Sequence, residues 1–200
     1  MTEHQTDSQG PPSDLLALVV YEKESVGDCV DRDAVEAVNG HRFPADYMEF
    51  IAHLGEGSFE ESLGIRLPAL ADWDTEGRIC PISAEALADP LTGQWTDAEA
   101  AAAYNLEDML IWGETAGADT LCWIASDKDP DAWPIAVYSR GDLAWTVYPC
   151  TLTEFILRII RGDFDECPIS DASLFGMESP RFLTVRQETA LMDQGINPWP

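Results

Sequence analysis

One stretch, Phe43 to Gly57, FPADYMEFIAHLGEG, limits what this 200-residue chain can fold into more than any other. Pro44 suits the first turn of a helix, where an N–H has no intrahelical partner and the proline φ is already helical. Phe43 then stands just outside. Tyr47, Phe50, Ile51 and Leu54 follow at i, i+3, i+4 and i+7, which makes one face apolar and leaves Asp46, Glu49 and His53 pointing elsewhere. Gly55 stops the helix at a left-handed position, and Gly57 completes a Gly-x-Gly turn. A short helix pressed into a core is predicted here. It carries no chemistry by itself.

Other elements order themselves around it. Met1 to Pro12 is polar, ends in Gly-Pro-Pro and is expected to be a disordered tail. Ser13 is a candidate cap for a helix from Asp14 to about Glu24, and Asp31 for a short helix that turns Val35 and Val38 inward and stops at Asn39-Gly40. Leu63, Ile65 and Leu67 alternate as a strand closed by Pro68. The segment from Ala69 to Gln94 is interrupted by Pro81, Pro90 and Gly93 and has no clear period. Thr96-x-x-Glu99 is a capping-box pattern before an alanine-rich helix to about Tyr104. Four short apolar runs follow: Leu110 to Trp112, Leu121 to Ala125, Ile135 to Tyr138 and Ala144 to Tyr148. Turn sequences separate them, so they predict an antiparallel meander. Thr151-x-x-Glu154 then opens a helix striped by Leu152, Phe155, Ile156, Ile159 and Ile160 and ended by Gly162. The expectation is a single α+β domain over residues 13–167, an antiparallel-rich sheet flanked by helices, with a C-terminal extension over 168–200.

In that order of parts, Phe43, Pro44, Tyr47, Phe50, Ile51, Leu54, Gly55 and Gly57 carry a resemblance to the SUKH superfamily, the Smi/Knr-type domains. Gly113 to Asp119 before a strand, the Trp133 to Tyr138 strand and the Thr151 to Gly162 helix match in type. The family's turn often has asparagine followed by two glycines, whereas this chain has Leu54-Gly55-Glu56-Gly57. The resemblance implies a binding module. Many bacterial members are immunity proteins that neutralise toxins, often nucleases, and fungal members act in regulatory scaffolds.

Charge supplies a separate physical argument. There are 37 Asp and Glu residues against 11 Lys and Arg, a formal charge of −26. Such a field repels phosphates, so no nucleic-acid partner is expected, and it attracts a basic protein. A toxin that cleaves nucleic acid commonly has a basic groove, which an acidic inhibitor can occupy. The blander reading is that the excess acid only confers solubility. Five scattered cysteines, Cys29, Cys80, Cys122, Cys150 and Cys167, lack any C-x-x-C spacing and read as free thiols. No secretory signal or membrane-spanning run is read, so a cytoplasmic location without a membrane partner is expected.

Candidate contact residues are acidic. Glu56, Glu60 and Glu61 form a loop beside the central helix, and Asp72, Trp73, Asp74 and Glu76 a second acidic segment with an aromatic anchor. Asp127, Asp129 and Asp131 begin like an EF-hand loop, but Ala132 stands at the sixth position and Tyr138 at the twelfth; a solvated turn bent at Pro130 is the reading, open to a partner. No cofactor and no metal are called for. Enzyme motifs are missing: His4, His41 and His53 sit in no G-x-S-x-G or H-E-x-x-H context. The first expectation is therefore a non-catalytic binding protein for a basic toxin domain. A regulatory or scaffold domain is the alternative, and a carboxylate-dependent hydrolase ranks last.

Overall fold

The computed structural model describes residues 11–22, 27, 28, 30–71 and 73–199. Its centre is an antiparallel sheet whose strands lie side by side in the order Ala144–Tyr148, Ile135–Ser139, Thr120–Ile124, Met109–Thr115, Leu63–Ile65, Gly57–Phe59, Phe182–Thr184. The four apolar runs form the expected meander as β4 (Met109–Thr115), β5 (Thr120–Ile124), β6 (Ile135–Ser139) and β7 (Ala144–Tyr148). On the far edge of β4, β2 (Leu63–Ile65) pairs with its end near Thr115, and β3 (Cys80–Pro81) with Ile111 and Leu110. Beyond β2 lies β1 (Gly57–Phe59), and β8 (Phe182–Thr184) forms that edge of the sheet, in the register Gly57 to Thr184. The protein is an α+β fold.

Alternation along the strands sends side chains to two faces, and both are covered. On one face Trp112, Leu121, Trp123, Ile135 and Val137 meet α1 (Pro11–Leu18), α3 (Ala45–His53) and α6 (Leu152–Arg161) in a single apolar cluster. The stripe of α6 is almost wholly withdrawn from water, Leu152, Phe155, Ile156, Ile159 and Ile160 being at most 4% exposed. Burial on that scale contributes about 1.5–3 kcal/mol for each side chain. Thr151 caps α6 by accepting from the Glu154 N–H, and Gly162 ends it at φ 70°. Asp46, rather than facing away, accepts from the Thr153 N–H and hydroxyl at 2.8 and 2.9 Å and so joins α3 to the start of α6.

The other face explains the segment after Ala69. Ile82, Met109, Cys122, Ile124, Ala136, Tyr138 and Trp145 form a second cluster, packed under Ala86, Leu87, Trp95, Tyr104 and Leu106. Ala86 and Leu87 belong to α4 (Ala84–Ala88), and the others to the segments just before and after α5 (Ala98–Ala103). Trp145 donates its indole N–H to the Thr92 carbonyl at 2.8 Å, which pins the loop between α4 and α5 on the sheet. Cap chemistry differs from expectation at α5: Asp97 accepts from the Glu99 and Ala100 N–H groups, while the Thr96 hydroxyl donates to the Trp145 carbonyl.

Two further differences involve the termini. Helix α1 begins at Pro11 because proline fits a first turn, so residues 11 and 12 do not continue the expected tail; residues 1–10 and Glu24 lie outside the described residues. It ends at Leu18 because Val20 turns to pair with Arg181, donating to the Pro180 carbonyl and accepting from the Phe182 N–H, each at 2.9 Å. The segment beyond Cys167 shares the main core. Ile169, Leu174 and Phe182 are no more than 2% exposed, and Phe182 packs edge-on against Phe59 and Phe50. Helix α2 (Arg32–Asn39) is capped by Asp31 and closed by Gly40 as anticipated, with Val35 buried and Val38 half-buried.

A buried carboxylate fastens three turns together. Asp119, 0% exposed, accepts from the Arg140 N–H (2.8 Å) and Ser170 hydroxyl (2.5 Å) through Oδ1. Through Oδ2 it accepts from the Thr115 hydroxyl (2.8 Å) and Ser170 N–H (2.7 Å). Four donors, and no cation among the described residues, hold this carboxylate.

Candidate interaction surface

The surface is built from the C-terminal end of α3. Tyr47, Phe50, Ile51 and Leu54 are at most 2% exposed, so the helix is fixed by its inner face; Phe43 packs beside it and Pro44 is its cap residue. Gly55 has φ +79°, a conformation that a Cβ would strain. At Gly57 a Cβ would run into the Leu183 carbonyl of β8, so glycine there lets β1 and β8 pair. Between them the Glu56 N–H donates to Asp28 Oδ2 at 2.9 Å, and the Glu56 carboxylate is thrown toward Arg78.

Arg78 joins two of the acidic segments singled out in the sequence. Its guanidinium reaches Glu56 at 2.9 Å and Asp74 at 3.0 Å. The Arg78 hydrogen bond holds the Asp74 carboxyl below its usual range. Asp28 Oδ1 receives Arg186 at 3.0 Å. Beneath this cluster the Tyr47 phenol is pushed well above its ordinary pKa, by burial first and then by the charges of Glu56 and Asp28; its hydroxyl donates to the Arg66 carbonyl at 2.7 Å. Next to Asp74, Trp73 is 85% exposed and Leu70 46% exposed. Glu76 is exposed, and Asp72 lies outside the described residues.

The remaining acidic candidates are elsewhere or engaged. Glu60 and Glu61 have positive φ in the tight β1–β2 turn; Glu60 accepts from the Arg181 N–H at 2.6 Å, and Glu61 is exposed. Asp127 accepts from the Asp129 N–H and Asp129 from the Asp131 N–H. Asp131 accepts from the Ala45 N–H at 2.6 Å, supplying α3 with the side-chain cap that Pro44 cannot give. This aspartate group thus lies at the opposite end of α3 from Glu56. Nine helical residues put about 14 Å between the two ends. They are two places, not one site.

Arg78, Asp28 and Arg186 were not singled out in the sequence, since nothing local marks which arginine will bridge two loops. Helix α7 (Val185–Asp193) was also missed, although Thr184-x-x-Gln187 is a readable signal: Thr184 and Gln187 form a full capping box. Burial raises the Cys122 thiol well above its ordinary pKa and pushes Cys150 up to about 12; Cys29 is outside the described residues. Among the described residues no group of three or more His, Cys, Asp and Glu could hold a metal ion, and no helix is long and apolar enough to cross a membrane. Comparison with protein-family models, with curated proteins and with solved structures finds no match.

Proposed function

We propose that this chain is a non-catalytic binding protein of the SUKH type, an immunity protein that blocks a basic, nuclease-type toxin domain by occluding its cationic groove. The observation that carries the reading is the nearly fully exposed Trp73 beside the acidic cluster of Glu56 and Asp74, on a chain of formal charge −26. Long-range charge steers the encounter, and a desolvated aromatic anchor slows dissociation. Cytoplasmic residence follows from that role.

The test is co-purification with the basic product of an adjacent gene, followed by stopped-flow association at rising salt and a toxicity assay with and without this chain. Between ~0.01 and ~0.15 M salt the Debye length falls from about 30 to about 8 Å, and the association rate is expected to fall at least about ten-fold. A rate indifferent to salt, or toxicity unaffected by the chain, would refute the proposal. Stoichiometric retention of a neutral or acidic host protein instead would favour a regulatory scaffold.

A further inference from the structure

Helix α7 is amphipathic the wrong way round for a helix held by its core. None of its residues is buried. Its fastening is polar: the capping box at Thr184, Glu188 accepting from the Ser58 hydroxyl (2.7 Å) and the Trp199 indole (3.0 Å), Gln187 donating to Glu22, and the Val185 N–H donating to the Glu56 carbonyl. Of its three large apolar side chains, Leu191 is half-buried and the other two are exposed. Val185 and Met192, seven positions apart and so on one face, are 46% and 57% exposed. Just past the helix, Gly195 turns at φ 72° and the Ile196 N–H returns to the Leu191 carbonyl, leaving Ile196 49% exposed. Three of the eight exposed large hydrophobics among the described residues therefore follow one short stretch. Scattered apolar residues need no explanation, whereas three of them within twelve positions do.

Charge identifies what covers the stripe. Asp28 and Glu56 lie at its start, paired with Arg186 and Arg78; Glu188 on the helix is held by Ser58 and Trp199, and Asp193 at its end is exposed, so acids outnumber the basic residues around it. A second copy would bring another −26 against the first, so self-association is opposed and a cationic partner is favoured. We propose that Val185, Met192 and Ile196 form the apolar footing of a docking surface for a basic protein segment that carries its own apolar side chains, the acids around them meeting its cations. This rests on the binding reading above and adds to its Trp73 surface a second, apolar footing, joined to it at Glu56 by the Val185 N–H.

The test titrates a leucine–lysine amphipathic helical peptide into the full chain by calorimetry, in the parent, in Val185→Ser with Met192→Ser, and in Leu91→Ser. Leu91 is a control at 56% exposure that sits under the other sheet face, where its carbonyl accepts from Tyr138. Peptide affinity is expected to fall about ten-fold or more in the double variant and to hold in Leu91→Ser, with thermal melts of all three alike; a leucine–glutamate peptide is expected not to bind. No binding to the parent, equal affinity for the double variant, or equal binding of the leucine–glutamate peptide would overturn the proposal. So would a parent dimer, seen by sedimentation and lost in the double variant, which would give the face to a second copy. The immunity reading fails separately: neutralisation that is present and untouched by the double variant removes this surface alone, while absent neutralisation with the peptide still docked on α7 removes that reading alone.

Discussion

Replacing Asp119 by asparagine changes one atom's identity at a point where four donors converge. Each carboxylate oxygen receives one backbone N–H and one hydroxyl. Either orientation of the new amide puts its NH₂ against a backbone N–H, that of Arg140 or of Ser170, which has no acceptor to offer. The hydroxyl beside it can rotate, but the N–H cannot. One unmet donor costs about 1–3 kcal/mol. The surviving bonds lose their charge assistance as well, and charged bonds are worth roughly twice neutral ones. A loss of about 2–4 kcal/mol is expected, a substantial fraction of the roughly 5–15 kcal/mol that holds a domain folded. Urea unfolding measures it as a lower midpoint at unchanged slope. Glu107→Gln, which removes the same charge from an exposed site, controls for relief of the −26 charge and should move stability by less than ~0.5 kcal/mol. An Asp119→Asn variant within ~1 kcal/mol of the parent would refute the staple argument.

Other predictions are smaller. Asp131→Ala removes the side-chain cap of α3 and should cost about 1 kcal/mol in the same assay; an unmoved midpoint would mean that water serves the Ala45 N–H equally well. Asp171 has its carboxyl held below 3.8, chiefly by the Ser173 N–H, then by the Ser173 and Ser62 hydroxyls, against an opposing effect of burial. A folded pKa below the unfolded one gives stability that is present above 3.8 and lost as pH falls through that value toward the folded one. The stability gap between the parent and Asp171→Asn should therefore be complete at ~pH 6 and close on acidification; a gap independent of pH would contradict this.

What could be foreseen was local. The α3 stretch declares itself because proline, a 3.6-residue apolar period and glycine all act within fifteen neighbouring positions, and its four apolar residues are buried. The meander declares itself by alternation between turns. Strands β1, β3 and β8 have three, two and three residues, too few for a period; β1 pairs with β2 across a tight turn, while β3 and β8 are completed only by partners distant in the chain. The covering of the second sheet face was illegible for a related reason: α4 and α5 are short and alanine-rich, and their placement depends on Trp145 reaching the Thr92 carbonyl. At the candidate surface, the acidic residues flanking Trp73 set it apart from Trp112, Trp123 and Trp145, which lie in apolar runs and are buried, but nothing in the sequence shows that Arg78 would tie its loop to Glu56. Asp131 looked solvated because the N–H it caps is 86 positions away.

The pairing of β1 with β8 also sets a schedule for biosynthesis. Ser58 and the Glu188 that receives its hydroxyl are 130 positions apart. At ~5–20 residues per second, the ribosome makes the second roughly ten seconds after the first. Throughout that interval β1 offers an unpaired edge, and Phe59 lacks the ring of Phe182 that later covers it. An open edge of this kind recruits other strands. The nascent chain is therefore most prone to aggregation after its meander is complete and before its last strand arrives, and in that window a chaperone would have most to protect.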